Sequence, residues 1–127
     1  MRKGSPYRPG SVPTSEKYYQ SVWGVDNLLV RQTASGNLIR FSYRVTDSAR
    51  AKALNDKKAT PYLFGQRSRA LLQIPVMNKV GPLRQSQPPK EGKEYWMTFS
   101  NKGNFVKVGD RVDVIIGAFR VDGLMVE

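Results

Sequence analysis

Hydrophobic and polar residues alternate most strictly between Leu38 and Thr46, where Ile39, Phe41, Tyr43 and Val45 fall on one side and Arg40, Ser42 and Arg44 on the other. A period of two is that of a strand with one face buried and one face wet. Here the wet face is basic. The alternation returns in Tyr95–Ser100, with Tyr95, Met97 and Phe99 set against Trp96 and Thr98, and in Arg111–Ile116, where Val112, Val114 and Ile116 point inward. Val25–Thr33, built around Leu28, Leu29 and Val30, reads as a further strand. It ends at Ala34-Ser35-Gly36-Asn37, a loop that suits a hairpin into Leu38.

Thr46-Asp47 followed by Ser48–Leu54 predicts a short helix, with Asp47 accepting from the first free amides and Asn55-Asp56 stopping it. Thr60–Phe64 and Ala70–Val76 are shorter strand candidates, and Pro61 and Pro75 place them at strand starts, edges or bulges. Gly81–Lys93 reads as a loop, while Asn101–Asn104, Val108–Asp110 and Asp122-Gly123 read as turns. Phe119 with Val121, and then Leu124–Val126, close the chain. Residues 1–21 are rich in Pro, Gly, Ser and basic side chains without apolar periodicity. They are expected to form a flexible basic tail or linker anchored by Tyr18 and Tyr19. Residues 22–127 then make one domain, which suits a chain of 127 residues. Short strands separated by turns every 8–12 residues or so, with one short helix among them, predict an all-β antiparallel sandwich or small barrel.

Charge sharpens this picture. The net charge is +11, and residues 1–93 hold 17 Lys and Arg against 5 Asp and Glu, whereas residues 94–127 hold 4 against 5. Basic character gathered in one part of the sequence is what an anion-facing surface requires. The longest apolar runs, such as Val114–Ile116, are far shorter than the roughly 20 residues of a membrane-spanning helix. Met1–Pro6 is basic like the start of a signal peptide, but Tyr7-Arg8-Pro9-Gly10 stands where the apolar segment should be. A cytosolic chain and a chain whose leader has been removed both fit.

Candidate chemistry is sparse. There is no histidine and no cysteine, which removes the usual general base, the usual partner of a nucleophilic serine, thiolate chemistry and zinc–thiolate sites. Asp110 and Asp113 are a closely spaced acidic pair, and they read as a turn cap and a water-facing strand residue rather than as a glycosidase pair. Calcium-loop spacing and glycine-rich phosphate loops are missing. The chain is therefore expected to bind rather than to catalyse, with no cofactor and no metal. Arg40 and Arg44 on the wet strand face, Trp96 on another strand, and Trp23, Tyr18 and Tyr19 are the candidate contact residues, Trp23 and Trp96 each fitting either an interface anchor or a packing role. The same charges with exposed aromatics would also fit a barrel that binds single-stranded nucleic acid.

Asn37–Asp47, Ala51–Asp56, Thr60–Leu63, Tyr95–Asn101 and Val108–Gly117 together resemble a family of uncharacterised bacterial proteins, over about residues 22–127. The resemblance implies an immunoglobulin-like antiparallel β-sandwich with one short helix between strands. It also implies an N-terminal membrane anchor in many members, and hence an envelope setting, and it brings no catalytic residues. The expectation is an accessory or scaffolding subunit that docks on a larger protein assembly. Its partner would be an acidic protein or membrane complex, or an anionic lipid or polymer, with nucleic acid as the alternative.

Overall fold

The computed structural model describes residues 12–55, 58–77, 81–82 and 89–127. It opens with helix α1 (Val12–Trp23), followed by strands β1 (Val25–Thr33), β2 (Leu38–Val45), β3 (Pro61–Gly65) and β4 (Leu71–Gln73). The two-residue strands β5 (Val76–Met77) and β6 (Gly81–Pro82) precede β7 (Glu94–Ser100), β8 (Arg111–Ile116) and β9 (Phe119–Met125). One antiparallel sheet has the order β1-β2-β7 and the other the order β4-β3-β8-β9, with β5 and β6 forming a small ribbon. The architecture is thus mostly β, two antiparallel sheets with one short helix.

The alternation of Leu38–Val45 places Ile39, Phe41, Tyr43 and Val45 in the interior, as expected. Ile39 faces Phe99, Phe41 faces Met97 and Tyr43 faces Tyr95 across the β2–β7 ladder. From the second sheet Leu63, Val112, Val114, Ile116, Phe119 and Val121 meet them in one buried cluster. Phe41 and Phe119 lie 6.4 Å apart between ring centres, the contact that joins the two inner faces. Pro61 opens β3, yet that strand is interior and Pro61 stands opposite Ile116. Its position at the first residue is what lets an inner strand tolerate it. On one side the sheets are stitched together by a parallel bridge between Val30 and Val126. The Glu127 amide donates to the Val30 carbonyl, and the Gln32 amide to the Glu127 carbonyl, each at 2.9 Å.

Four expectations are corrected. The proposed tail does not extend to Ser21, because Val12–Trp23 is a helix, while residues 1–11 lie outside the described residues. Tyr19 and Trp23, four apart on one helix face, pack on Phe119 at 6.3 and 5.3 Å. That tertiary contact supplies what the weakly amphipathic sequence lacks. The helix ends at Gly24, whose amide donates to the Gln20 carbonyl at 3.1 Å with φ at +63°, a left-handed cap. A side chain there would stand 2.5 Å from the Asp47 carbonyl oxygen, so only glycine fits. The short helix after Asp47 is a 3-10 helix at Arg50–Asn55. Asp47 caps it as expected, its Oδ1 accepting from the amides of Ala49 and Arg50 at 3.0 and 3.2 Å, and Leu54 plugs the end of the core. Asp122-Gly123 is not a turn between strands but an irregularity inside β9, where the pairing with β8 shifts register. The loop expected over 81–93 contains β6, and its residues 83–88 lie outside the described residues.

Candidate binding face

Three of the six sequence-predicted contact residues share one surface, the outer face of β1-β2-β7. Arg40, Ser42 and Arg44 point outward from β2, opposite Thr98, Trp96 and Glu94 of β7. On the other side Arg44 faces Asp26 and Ser42 faces Leu29, because β1 carries one extra residue between them, Asn27 and Leu28 standing against Tyr43 alone. Asn27, at φ +54°, sits in that bulge. Beyond it Arg31 stands directly across from Arg40.

The face divides electrostatically into two halves. At one end Arg44 is engaged: its Nε donates to Asp26 Oδ1 at 2.8 Å and its Nη2 to Oδ2 at 2.5 Å, a two-pronged grip. Gln20 Nε2 from α1 adds a third bond to Asp26 Oδ2 at 3.2 Å. Asp26 is 6% exposed, and the Arg44 guanidinium holds its carboxyl below the ordinary aspartate range against the opposing effect of burial. Nearby, Asn27 Nδ2 donates to Glu94 Oε2 at 3.2 Å. Arg44 is answered by a carboxylate at this end, so it is a structural cation that ties β2 to β1 and, through the shared Asp26, to Gln20 of the helix.

At the other end Arg31 and Arg40 are both exposed, and no carboxylate pairs with either among the described residues. Like charges directly opposite across a ladder repel. The Arg40 guanidinium lies 5.0 Å from the centre of the half-buried Trp96 ring, a cation–π contact that fixes its plane. Arg31, Arg40 and Trp96 form a small cationic platform. Sequence reasoning found Arg40 and Trp96 but missed Arg31, since the bulge at Asp26–Leu29 breaks the alternation that would have put Arg31 on the same face.

The other three predicted residues are elsewhere. Tyr19 and Trp23 are packing residues on Phe119. Tyr18 is exposed on α1, its ring edge-to-face with that of Tyr19 at 5.0 Å between centres. Asp110 is a turn cap as expected: its Oδ2 accepts the Lys107 amide at 2.9 Å. It also receives Arg67 at 2.9 and 2.8 Å, and that pairing lowers its pKa. Asp113, expected to face water, is instead buried. It accepts Gln66 Nε2 at 2.8 Å and the Gly123 amide at 3.0 Å, so the carboxylate braces the β9 irregularity.

Among the described residues no helix is long and apolar enough to cross a membrane, and no three acidic side chains gather as they would around a metal ion. Comparison of the chain with protein-family models, with curated proteins and with solved structures finds no match.

Proposed function

We propose that this protein is a non-catalytic binding module of immunoglobulin-like build. It serves as an accessory or scaffolding subunit at the cell envelope and docks onto an acidic surface of a larger protein assembly. The observation that carries the proposal is the opposed, exposed Arg31–Arg40 pair beside Trp96. Two exposed arginines on directly opposed residues, with no carboxylate paired to either among the described residues, gather positive charge that an anion would neutralise. Trp96 pre-orients one of them, which lowers the cost of ordering it on binding.

Strand order supports the immunoglobulin-like part. β1, β2 and β7 stand where strands A, B and E would stand, and β4, β3, β8 and β9 where C′, C, F and G would. The non-catalytic part is supported by the lack of histidine and cysteine and by the engagement of Asp110 and Asp113. The envelope setting rests on the sequence resemblance. Single-stranded nucleic acid fits less well, because Phe41, Tyr43, Tyr95 and Phe99 are buried and Arg40 lies over the Trp96 ring where a base would stack.

Site-specific photo-cross-linking in cells that make the protein tests the proposal. A benzoylphenylalanine at Leu29, on the proposed face, is expected to trap one larger protein, whereas the same probe at Lys107 traps none. The cross-link is expected to vanish in an Arg31→Ser/Arg40→Ser background. Equal trapping from both positions, or a cross-link indifferent to the two arginines, would refute it.

A further inference from the structure

On the side of the sandwich away from the Val30–Val126 bridge, a groove of about 590 Å³ lies along β4 and the end of β7. Its walls are the run from Ala70 to Pro75 together with Ser100, Lys102 and Phe105. We propose that this groove receives an extended, acidic segment of a partner protein, which adds as a strand to the free edge of β4.

Backbone geometry comes first. Among the described residues β4 is the outermost strand of its sheet. The Ala70 carbonyl accepts the Gly65 amide at 2.9 Å, and Leu72 stands opposite Leu63. In an antiparallel ladder bonded residues alternate with unbonded ones, so the amides and carbonyls of Leu71 and Gln73 point away from β3, into the open side. Natural sheets blunt such edges with charge or proline. Within β4 there is only Leu-Leu-Gln.

The side chains then specify the occupant. Leu71 is 55% and Phe105 57% exposed, large apolar groups on the two walls of one groove. Phe105 is held there by design of the turn before it. Asn101 is fully buried and donates to the Gly36 and Val106 carbonyls at 2.8 Å each, while accepting the Val106 amide at 3.1 Å. A side chain at Gly103 would collide with the Phe105 ring at 2.8 Å, so glycine there leaves room for the ring. Lys102 lines the groove, and Arg69, whose guanidinium lies 5.3 Å from the Phe64 ring centre, flanks it. Neither cation pairs with a carboxylate among the described residues. Exposed strand edge, apolar walls and unanswered positive charge together select an extended segment that alternates apolar and acidic residues. A second copy of this chain fits poorly, since each copy carries a net charge of +11. The groove is separate from the Arg31–Arg40 face, and its test leaves those arginines untouched.

The probe is the capped hexapeptide Val-Glu-Val-Glu-Val-Glu, added to the full chain while amide hydrogen exchange is followed by NMR. Exchange at Leu71 and Gln73 is expected to slow about tenfold at saturation. Lys102→Glu is expected to weaken binding about fivefold or more, and Leu71→Lys, at an exposed position that the fold tolerates, is expected to abolish it. The peptide Val-Lys-Val-Lys-Val-Lys is expected not to bind. Unchanged exchange at both amides with millimolar peptide would overturn the proposal, as would equal binding of the lysine peptide. Protection of the same amides by self-association without peptide, lost in Leu71→Lys, would replace the partner segment with a second copy.

Discussion

Asp26→Asn isolates the ion pair that anchors the Arg44 end of the binding face. The carboxylate is 6% exposed and accepts two bonds from Arg44, whose side chain is 49% exposed. A charge-assisted hydrogen bond contributes about 1.5–3 kcal/mol when both ends are withdrawn from water. With the guanidinium half in solvent each bond is discounted by about half, so the pair together contributes about 2 kcal/mol and Asp26→Asn loses about that much. Arg44→Ala is expected to cost more, about 3 kcal/mol, because it leaves a nearly buried carboxylate with only Gln20 for company. The pH dependence has a definite sign. Asp26 has its folded pKa depressed, so its contribution is complete above the unfolded value of about 3.9 and drains away as pH falls through the lower folded value. Urea denaturation of wild type and both variants should therefore show a constant gap from about pH 5 to pH 8, with unchanged m-values, that narrows below about pH 4. A gap under about 0.5 kcal/mol at neutral pH, or one that widens on acidification, would refute the reasoning.

Three further outcomes are expected. Gly24→Ala forces a methyl to 2.5 Å from the Asp47 carbonyl oxygen at φ +63° and should cost about 2–3 kcal/mol in denaturant unfolding, well above the ordinary left-handed penalty of about 1 kcal/mol. Asn101→Ala strips three hydrogen bonds from a fully buried position and should cost about 2–4 kcal/mol, with increased proteolysis in the 101–106 turn as a second readout. The Arg31→Ser/Arg40→Ser double variant should keep its stability to within about 0.5 kcal/mol, because relief of cross-strand repulsion offsets the lost cation–π contact. A large loss in that variant would mean the arginines serve the fold rather than a partner.

β2 and β7 were legible in the sequence because each has an unbroken apolar face and packs against the other in simple register. α1 was not. Tyr19 and Trp23 give it no recognisable apolar period in the sequence, and their partner Phe119 comes from the far end of the chain. Arg40 and Trp96 were found from alternation alone, whereas Arg31 lay hidden behind the bulge and Asp26 gave no sign that it would be buried under Arg44. Arg44 was read as a free cation for the same reason: pairing is decided by register, and register is not written in one strand. Asp113 was misplaced because the irregularity in β9 turns a position that looks wet into one enclosed by Gln66 and Gly123. The groove had no sequence signal, since a free edge exists only once strand order is known.

The measurement that tests the central claim most directly is the affinity of the chain for its cross-linked partner, followed from about 50 to about 300 mM salt for wild type and for Arg31→Ser/Arg40→Ser. Wild-type affinity is predicted to fall steeply as salt screens the exposed arginine pair, and the double variant to bind weakly with a nearly flat response. Binding that is salt-independent in wild type, or identical in the two proteins, would contradict the assignment of this face as the docking surface.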